Sequence, residues 1–278
     1  MSSLNNNLII SDLSQKWQNC GMLEGDTIVL HSDVRKLLLY YNHFSQPKGK
    51  KKVRVLSVED IFDSFLNAVG VKGTLIIPLF NFDFSSNGKL FDIRSTPSQM
   101  GVLTEHARKR VDYLRTKNPV YSFAIFGKNK KYFESIDLHS ALGKDSVFSR
   151  LIELDGKIAV LGLSDKNSMT FYHHIEEMHN VAYRIRKNFT APYIDSNGKE
   201  TKETISLYVR DLDRGVQTLV DPVGEMMWRK GLYSGEKIDQ VHGLRTISAA
   251  NMYKFVSDII LNNSAKDNLY EIKKTDAD

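Results

Sequence analysis

A histidine and a glutamate three residues apart, His173 and Glu176, are the pair in this sequence best suited to moving a proton. On a helix, positions three apart share a face. An ionised glutamate beside a histidine stabilises the imidazolium and fixes which ring nitrogen is free, as a general base acting on an attacking group requires. Ordinary surface ion pairs have the same spacing, and His174 with Glu177 makes a second such pair one position further round. Spacing alone leaves these readings open. His173, His174, Glu176, Glu177 and His179 are dense enough to raise a metal site. No two of these histidines stand at the i, i+4 spacing of HExxH, however, and adjacent helical positions diverge, so no metal is expected. Cys20 lacks a charged neighbour to depress its pKa and reads as a small packing residue near a helix end. GxGxxG, GxxxxGK[ST] and GxSxG are all absent, which removes dinucleotide, P-loop and hydrolase-elbow readings. A second polar stretch, Arg94-Ser95-Thr96-Pro97-Ser98-Gln99-Met100-Gly101, runs into a helix. Its hydroxyls and free N–H groups could hold an anion or a carbonyl. A cap from Ser98 is the simpler reading of the residues alone.

These side chains need a frame. Ile9–Cys20 has helical spacing, and Gly25-Asp26 breaks the chain before the apolar run Thr27–Leu30, a buried strand ending at His31-Ser32-Asp33. Helical patterns at Val58–Val69, Met100–Arg110 and Asp145–Glu153 alternate with apolar runs at Thr74–Phe80, Ser122–Phe126 and Ile158–Leu163. Such alternation predicts βαβ units and a sheet covered on both faces. The run that ends at Gly162-Leu163 feeds a polar loop and then, from Ser168 or Thr170, the helix bearing His173. That places His173 beyond the carboxyl end of a strand, where open α/β sheets gather ligands. Later, Phe189–Ile194 and Thr204–Arg210 flank Asp195-Ser196-Asn197-Gly198, whose Asn-Gly suits a tight hairpin. Ser248–Leu261 reads as an amphipathic helix, and the polar tail after Asn262, from about residue 265, as a flexible end. The fold class is therefore α/β, a three-layer α/β/α arrangement with a mixed central sheet and an added antiparallel hairpin, in one domain over residues 1–278.

The chain has 278 residues, 41% hydrophobic and 26% charged, a balance that excludes disorder and fibrous structure. It has no apolar run long enough for a membrane span, and its first residues do not read as a secretion signal, so a soluble, cytoplasmic protein is expected. The net charge of +5 is largely local, because Lys48-Gly49-Lys50-Lys51-Lys52-Val53-Arg54 alone carries five positive charges. A local excess points to an anionic ligand at one place, or to a solvated loop, rather than to a nucleic-acid-coating surface.

With these landmarks in order, the chain resembles the aminoglycoside 3-N-acetyltransferase (antibiotic N-acetyltransferase) family, from about Gly25 to Val256. The resemblance rests on Val29-Leu30-His31-Ser32, Gly73–Pro78, Thr96-Pro97-Ser98 with Met100-Gly101, and Arg115-Thr116 with Asn118-Pro119 and Ser122. It continues through Leu154–Lys157 and Leu161-Gly162-Leu163 to His173-x-x-Glu176. What it implies is transfer from acyl-CoA to a sugar amine, with His173 as base, Glu176 orienting it, and no metal. Ser32, Asp33, Val34, Thr96, Pro97, Ser98, Gly101 and Ser122 would lie along the CoA arm, and His174 and Asn118 would meet the substrate. Two departures bear on that substrate. Asn118 stands where many relatives have histidine, and the stretch after His-Ser is longer and lysine-rich. An aminoglycoside is a polycation, and like charges a few ångströms apart cost about 1 kcal/mol each even in water. The expected acceptor is therefore a nucleotide-linked amino sugar. Acetylation of an aminoglycoside is the alternative, and a binding protein for CoA or sugar nucleotides without turnover a second. The acyl group, acetyl or a short hydroxyacyl, is open.

Overall fold

The structure is a computed structural model and describes residues 2–44, 55–168 and 170–273. The basic cluster Lys48–Arg54 lies outside the described residues. In chain order the strands are β1 (Thr27–Ser32), β2 (Thr74–Pro78), β3 (Phe91–Asp92), β4 (Leu114–Arg115), β5 (Phe123–Gly127) and β6 (Lys157–Leu161). They continue as β7 (Arg184–Ile194), β8 (Glu200–Arg210), β9 (Val216–Thr218), β10 (Ser234–Gly235), β11 (Leu244–Ser248) and β12 (Tyr270–Ile272). The helices are α1 (Ser2–Asn19), α2 (Arg35–Leu39), α3 (Val58–Val69), α4 (Asp83–Asn87), α5 (Val102–Arg108), α6 (Val147–Glu153), α7 (Phe171–Met178), α8 (Asp221–Arg229) and α9 (Ala249–Leu261).

Seven strands form the central sheet in the order β10-β11-β6-β1-β2-β5-β4. β1 runs parallel to both β2 and β6, while β5, β4, β11 and β10 are added antiparallel, so the sheet is mixed as expected. Alternate residues of each buried strand feed opposite cores. Ile28, Leu30, Leu75, Ile77, Ala159 and Leu161 face a layer built from α1, α3 and α5. Val29, Ile76, Ile158 and Val160 face the layer that holds α6, α7 and α9. A strand apolar on both faces belongs in the middle of such a sandwich. The boundaries of α3 follow from its ends: Ser57 and Asp60 form a reciprocal capping box, and Gly70 closes the helix at φ 64°.

The hairpin is longer than its sequence signal. β7 and β8 pair over eleven residues each, from Arg184 opposite Arg210 to Ile194 opposite Glu200, and β3 joins them as a third strand. The expectation of a flexible end from about residue 265 is corrected in part. Leu269 is fully buried, and β12 pairs antiparallel with β9, because this stretch completes the apolar layer around Val216 and Tyr183. Among the described residues, no helix is long and apolar enough to cross a membrane.

Candidate active site

The carboxyl ends of the parallel strands β1, β2 and β6 point the same way, and the loops that leave them converge there. The β1 and β6 exits are held together tightly. Asp33 N–H donates to Leu161 O at 2.8 Å, and a Cβ on Gly162 (φ +67°) would lie 2.6 Å from Asp33 O. The loop after β6 is tied down by Asp165, a buried carboxylate that accepts from the Tyr172 and Tyr233 hydroxyls at 2.8 Å each and from Arg245 Nη2 at 2.6 Å. Burial pushes both tyrosine hydroxyls well above their usual range, so they remain protonated donors.

That anchored loop delivers α7. Its apolar residues Phe171, Tyr172 and Ile175 turn into the core, and Glu176 is buried with them. His173 is held at the edge, with its side chain 24% exposed. Its Nδ1 lies 2.7 Å from Glu176 Oε2 and 2.5 Å from Arg184 Nη2. Arg184 Nε also lies 2.6 Å from that carboxylate oxygen, so the base at the edge is joined to a buried carboxylate and guanidinium. Arg184 Nη2 also lies 3.3 Å from Nε2. In the tautomer whose Nδ1–H donates to Glu176, Nε2 is the nitrogen that can take a proton. Burial, then the Arg184 charge, lower the His173 pKa below the ordinary histidine value against the opposing pull of Glu176. The ring is therefore neutral at neutral pH, as a base must be. Burial raises the Glu176 carboxyl, but Arg184 and His173 more than offset this, and the group stays ionised.

Three cavities adjoin here, and His173 lines two of them. A cavity of about 420 Å³ is lined by Ser32, Asp33, Val34, Arg35 and Gly101. One of about 620 Å³, on the far side, is lined by Tyr121, Arg184, Lys187, Tyr208 and Arg210. Between them a space of about 340 Å³ shares His31, Met100 and Asn167 with the first and Tyr121, Asn167 and His173 with the second. His31 sits at the join, its Nε2 buried without a partner and its pKa pushed down to about 3 by burial and then by Arg245.

The remaining expected site residues divide. Ser32, Asp33, Val34 and Gly101 meet in one cavity. Asp33 accepts from Arg35 N–H and Nε, which holds its carboxyl below the usual range. Ser98 lies in an open groove on the other side of Gly101, its hydroxyl bonded to Thr104 and accepting from Met100 N–H, and the residue at the cap position of α5 is Gly101, not Ser98. Thr96 and Pro97 are used in the loop itself: Thr96 O accepts from Arg115 and Pro97 O from Asn81. Ser122, expected along the CoA arm, is fully buried, donating to Leu79 O and accepting from Arg115 Nε. Asn118 and His174, expected to meet the substrate, are likewise buried, and neither lines the three cavities. Asn118 is 1% exposed and folds its own turn, accepting from Val120 and Tyr121 N–H and donating to Leu138 O. His174 is 1% exposed, with Nδ1 2.6 Å from Leu142 O, and burial lowers its pKa to about 4. The second pair does not form, since Glu177 bonds Arg186, and His179 turns to Ser257. Cys20 is buried and its thiol is pushed up to about 11 by burial.

Sequence reading overlooked Arg184, Lys166, Asn167, Lys187, Arg210 and the Asp165–Arg245 anchor. The signal available was the run Arg184-Ile185-Arg186-Lys187 just ahead of the recognised hairpin strand, too cationic for an ordinary buried strand.

Residues 49–260 match the model of a family described as aminoglycoside 3-N-acetyltransferase. Among solved structures, the chain is similar to AAC-IIIb in a binary complex with CoASH, at TM-score 0.74 and 18% identity over 91% of this chain and 96% of that one. It is similar to AAC-VIa bound to sisomicin, at TM-score 0.72 and 16% identity over 91% and 97%. The YokD protein from Bacillus subtilis superposes at TM-score 0.71 and 19% identity over 91% and 99%. Likeness at such identities speaks for the fold.

Proposed function

Because the chain belongs to the aminoglycoside 3-N-acetyltransferase family, we propose that it is an acyl-CoA-dependent N-acyltransferase in which His173 is the general base. The observation that carries this reading is the position of His173, a neutral imidazole backed by an ionised carboxylate on the wall where two cavities adjoin. The acyl thioester would enter along Ser32–Val34 and Gly101, and the amine from the side of Tyr121 and Tyr208. As nitrogen attacks, the N–C bond forms and its proton passes to Nε2 of His173. Collapse of the tetrahedral carbon then breaks the C–S bond, and CoA leaves as a thiolate that needs no metal. The imidazolium formed is stabilised by Glu176 across 2.7 Å.

The family membership and the likeness to a sisomicin-bound structure support an aminoglycoside amine as acceptor. A nucleotide-linked amino sugar is the second reading, favoured by the charge of the acceptor-side cavity. His173→Ala should lower turnover by about 10²–10⁴-fold while calorimetry still records CoA binding. Turnover near the wild-type level would remove the histidine from the mechanism.

A further inference from the structure

The larger cavity beside His173 is lined by four cationic side chains, Lys166, Arg184, Lys187 and Arg210, and by no carboxylate. Of the carboxylates nearby, Glu176 pairs with Arg184, Glu177 with Arg186 and Asp211 with Arg214, while Asp221 accepts from the Lys166 backbone N–H at 2.8 Å. Among the described residues, Lys166, Lys187 and Arg210 have no ion-pair partner. Arg210 is nevertheless held in place, donating to Gln217 Oε1 at 3.0 Å. It stands directly opposite Arg184 in the β7–β8 ladder, a like-charge pairing that costs stability unless an anion offsets it. Glu176 offsets one member of the pair only.

We propose, building on the transfer reaction and the second acceptor reading above, that these residues form an anion subsite for the acceptor that selects a phosphorylated amino sugar over a polycation. Lys166, Lys187 and Arg210 would bind a phosphate or diphosphate ester and so present the sugar amine to His173. Arg adds bidentate geometry and the lysines add point charge. The phosphates of CoA are a poor fit here. They are a whole pantetheine arm away from the thioester, whereas these cations share a cavity with the base that must work beside the thioester.

Two measurements on the full chain test the subsite. In the first, inorganic pyrophosphate is titrated calorimetrically with CoA held at saturation. Binding should persist with CoA present, persist in His173→Ala, and weaken at least tenfold in Lys187→Glu/Arg210→Glu. The exposed single variant Lys187→Gln, judged folded by its CoA binding, should show a smaller loss in the same direction. Displacement of pyrophosphate by CoA, or equal affinity in all variants, would overturn the proposal. In the second, kcat/KM is compared for glucosamine, glucosamine 1-phosphate, UDP-glucosamine and sisomicin. The phosphorylated acceptors should exceed glucosamine tenfold or more, and charge reversal should collapse that ratio. Preference between the two phosphorylated acceptors reports whether a monoester or a diphosphate fills the subsite. Sisomicin turning over better than either would overturn the proposal while leaving the base intact, and a fully active His173→Ala would do the reverse.

Discussion

His173 is governed by two neighbours of opposite sign. Burial and Arg184 lower its pKa, and Glu176 raises it. A histidine with a lowered pKa stays unprotonated further into the acid range, so kcat/KM should hold through neutral pH and fall only below the ordinary histidine value. Arg184→Gln removes one of the two lowering influences, and the acid limb should then move to higher pH. Activity at pH 6 would suffer more than activity at pH 8. The same change frees the Glu176 carboxyl from the charge that keeps it low, so the limb belongs to the pair rather than to one residue. A pH profile of the variant parallel to the wild type at every pH would show that Arg184 acts only on packing. At this scale the site was half legible in the sequence. His173 and Glu176 share one helix and announce themselves by spacing, whereas Arg184 reaches them from β7, and no local periodicity encodes a contact between different elements.

At the scale of elements, the exits of β1 and β6 decide whether the cavity proposed for the donor has a wall. Gly162 adopts φ +67°, and a side chain there would meet Asp33 O at 2.6 Å, on the residue that lines the cavity. Gly162→Ala would combine a left-handed backbone penalty with this collision, together about 1–3 kcal/mol. Denaturation should reveal that loss, and the Kd for CoA should rise because Asp33 and Ser32 must shift. Unchanged CoA affinity would mean that these loops are not the donor wall. The elements themselves were largely readable, since α3 carries strong periodicity with sharp punctuation at Ser57 and Gly70, and the parallel strands are short continuous apolar runs. The first half of β7 was not. Arg186, Lys187 and Asn188 are exposed, and a strand whose residues face a cavity and solvent lacks the apolar alternation by which strands are recognised.

For the whole molecule, residues 265–273 support the cavity proposed for the acceptor. Leu269 is fully buried, and Tyr270 stacks on Tyr183 with ring centroids 3.9 Å apart, next to Arg184. β12 pairs with β9, whose Thr218 lines the same cavity as Lys187 and Arg210. Composition hid this, because the residues around Leu269 are polar and a single leucine carries no period. A chain ending at Asn263 would lose the burial of Leu269, about 1.5–3 kcal/mol, together with the strand pairing and the ring stack. At roughly 2–4 °C per kcal/mol for a protein near this size, Tm should drop by about 5–10 °C. Because the lost strand backs the acceptor side and not the loops at Ser32 and Gly101, the acceptor KM should rise more than the KM for acyl-CoA. Equal rises would point to general loosening, and an unchanged Tm would mean that β12 contributes nothing to the fold.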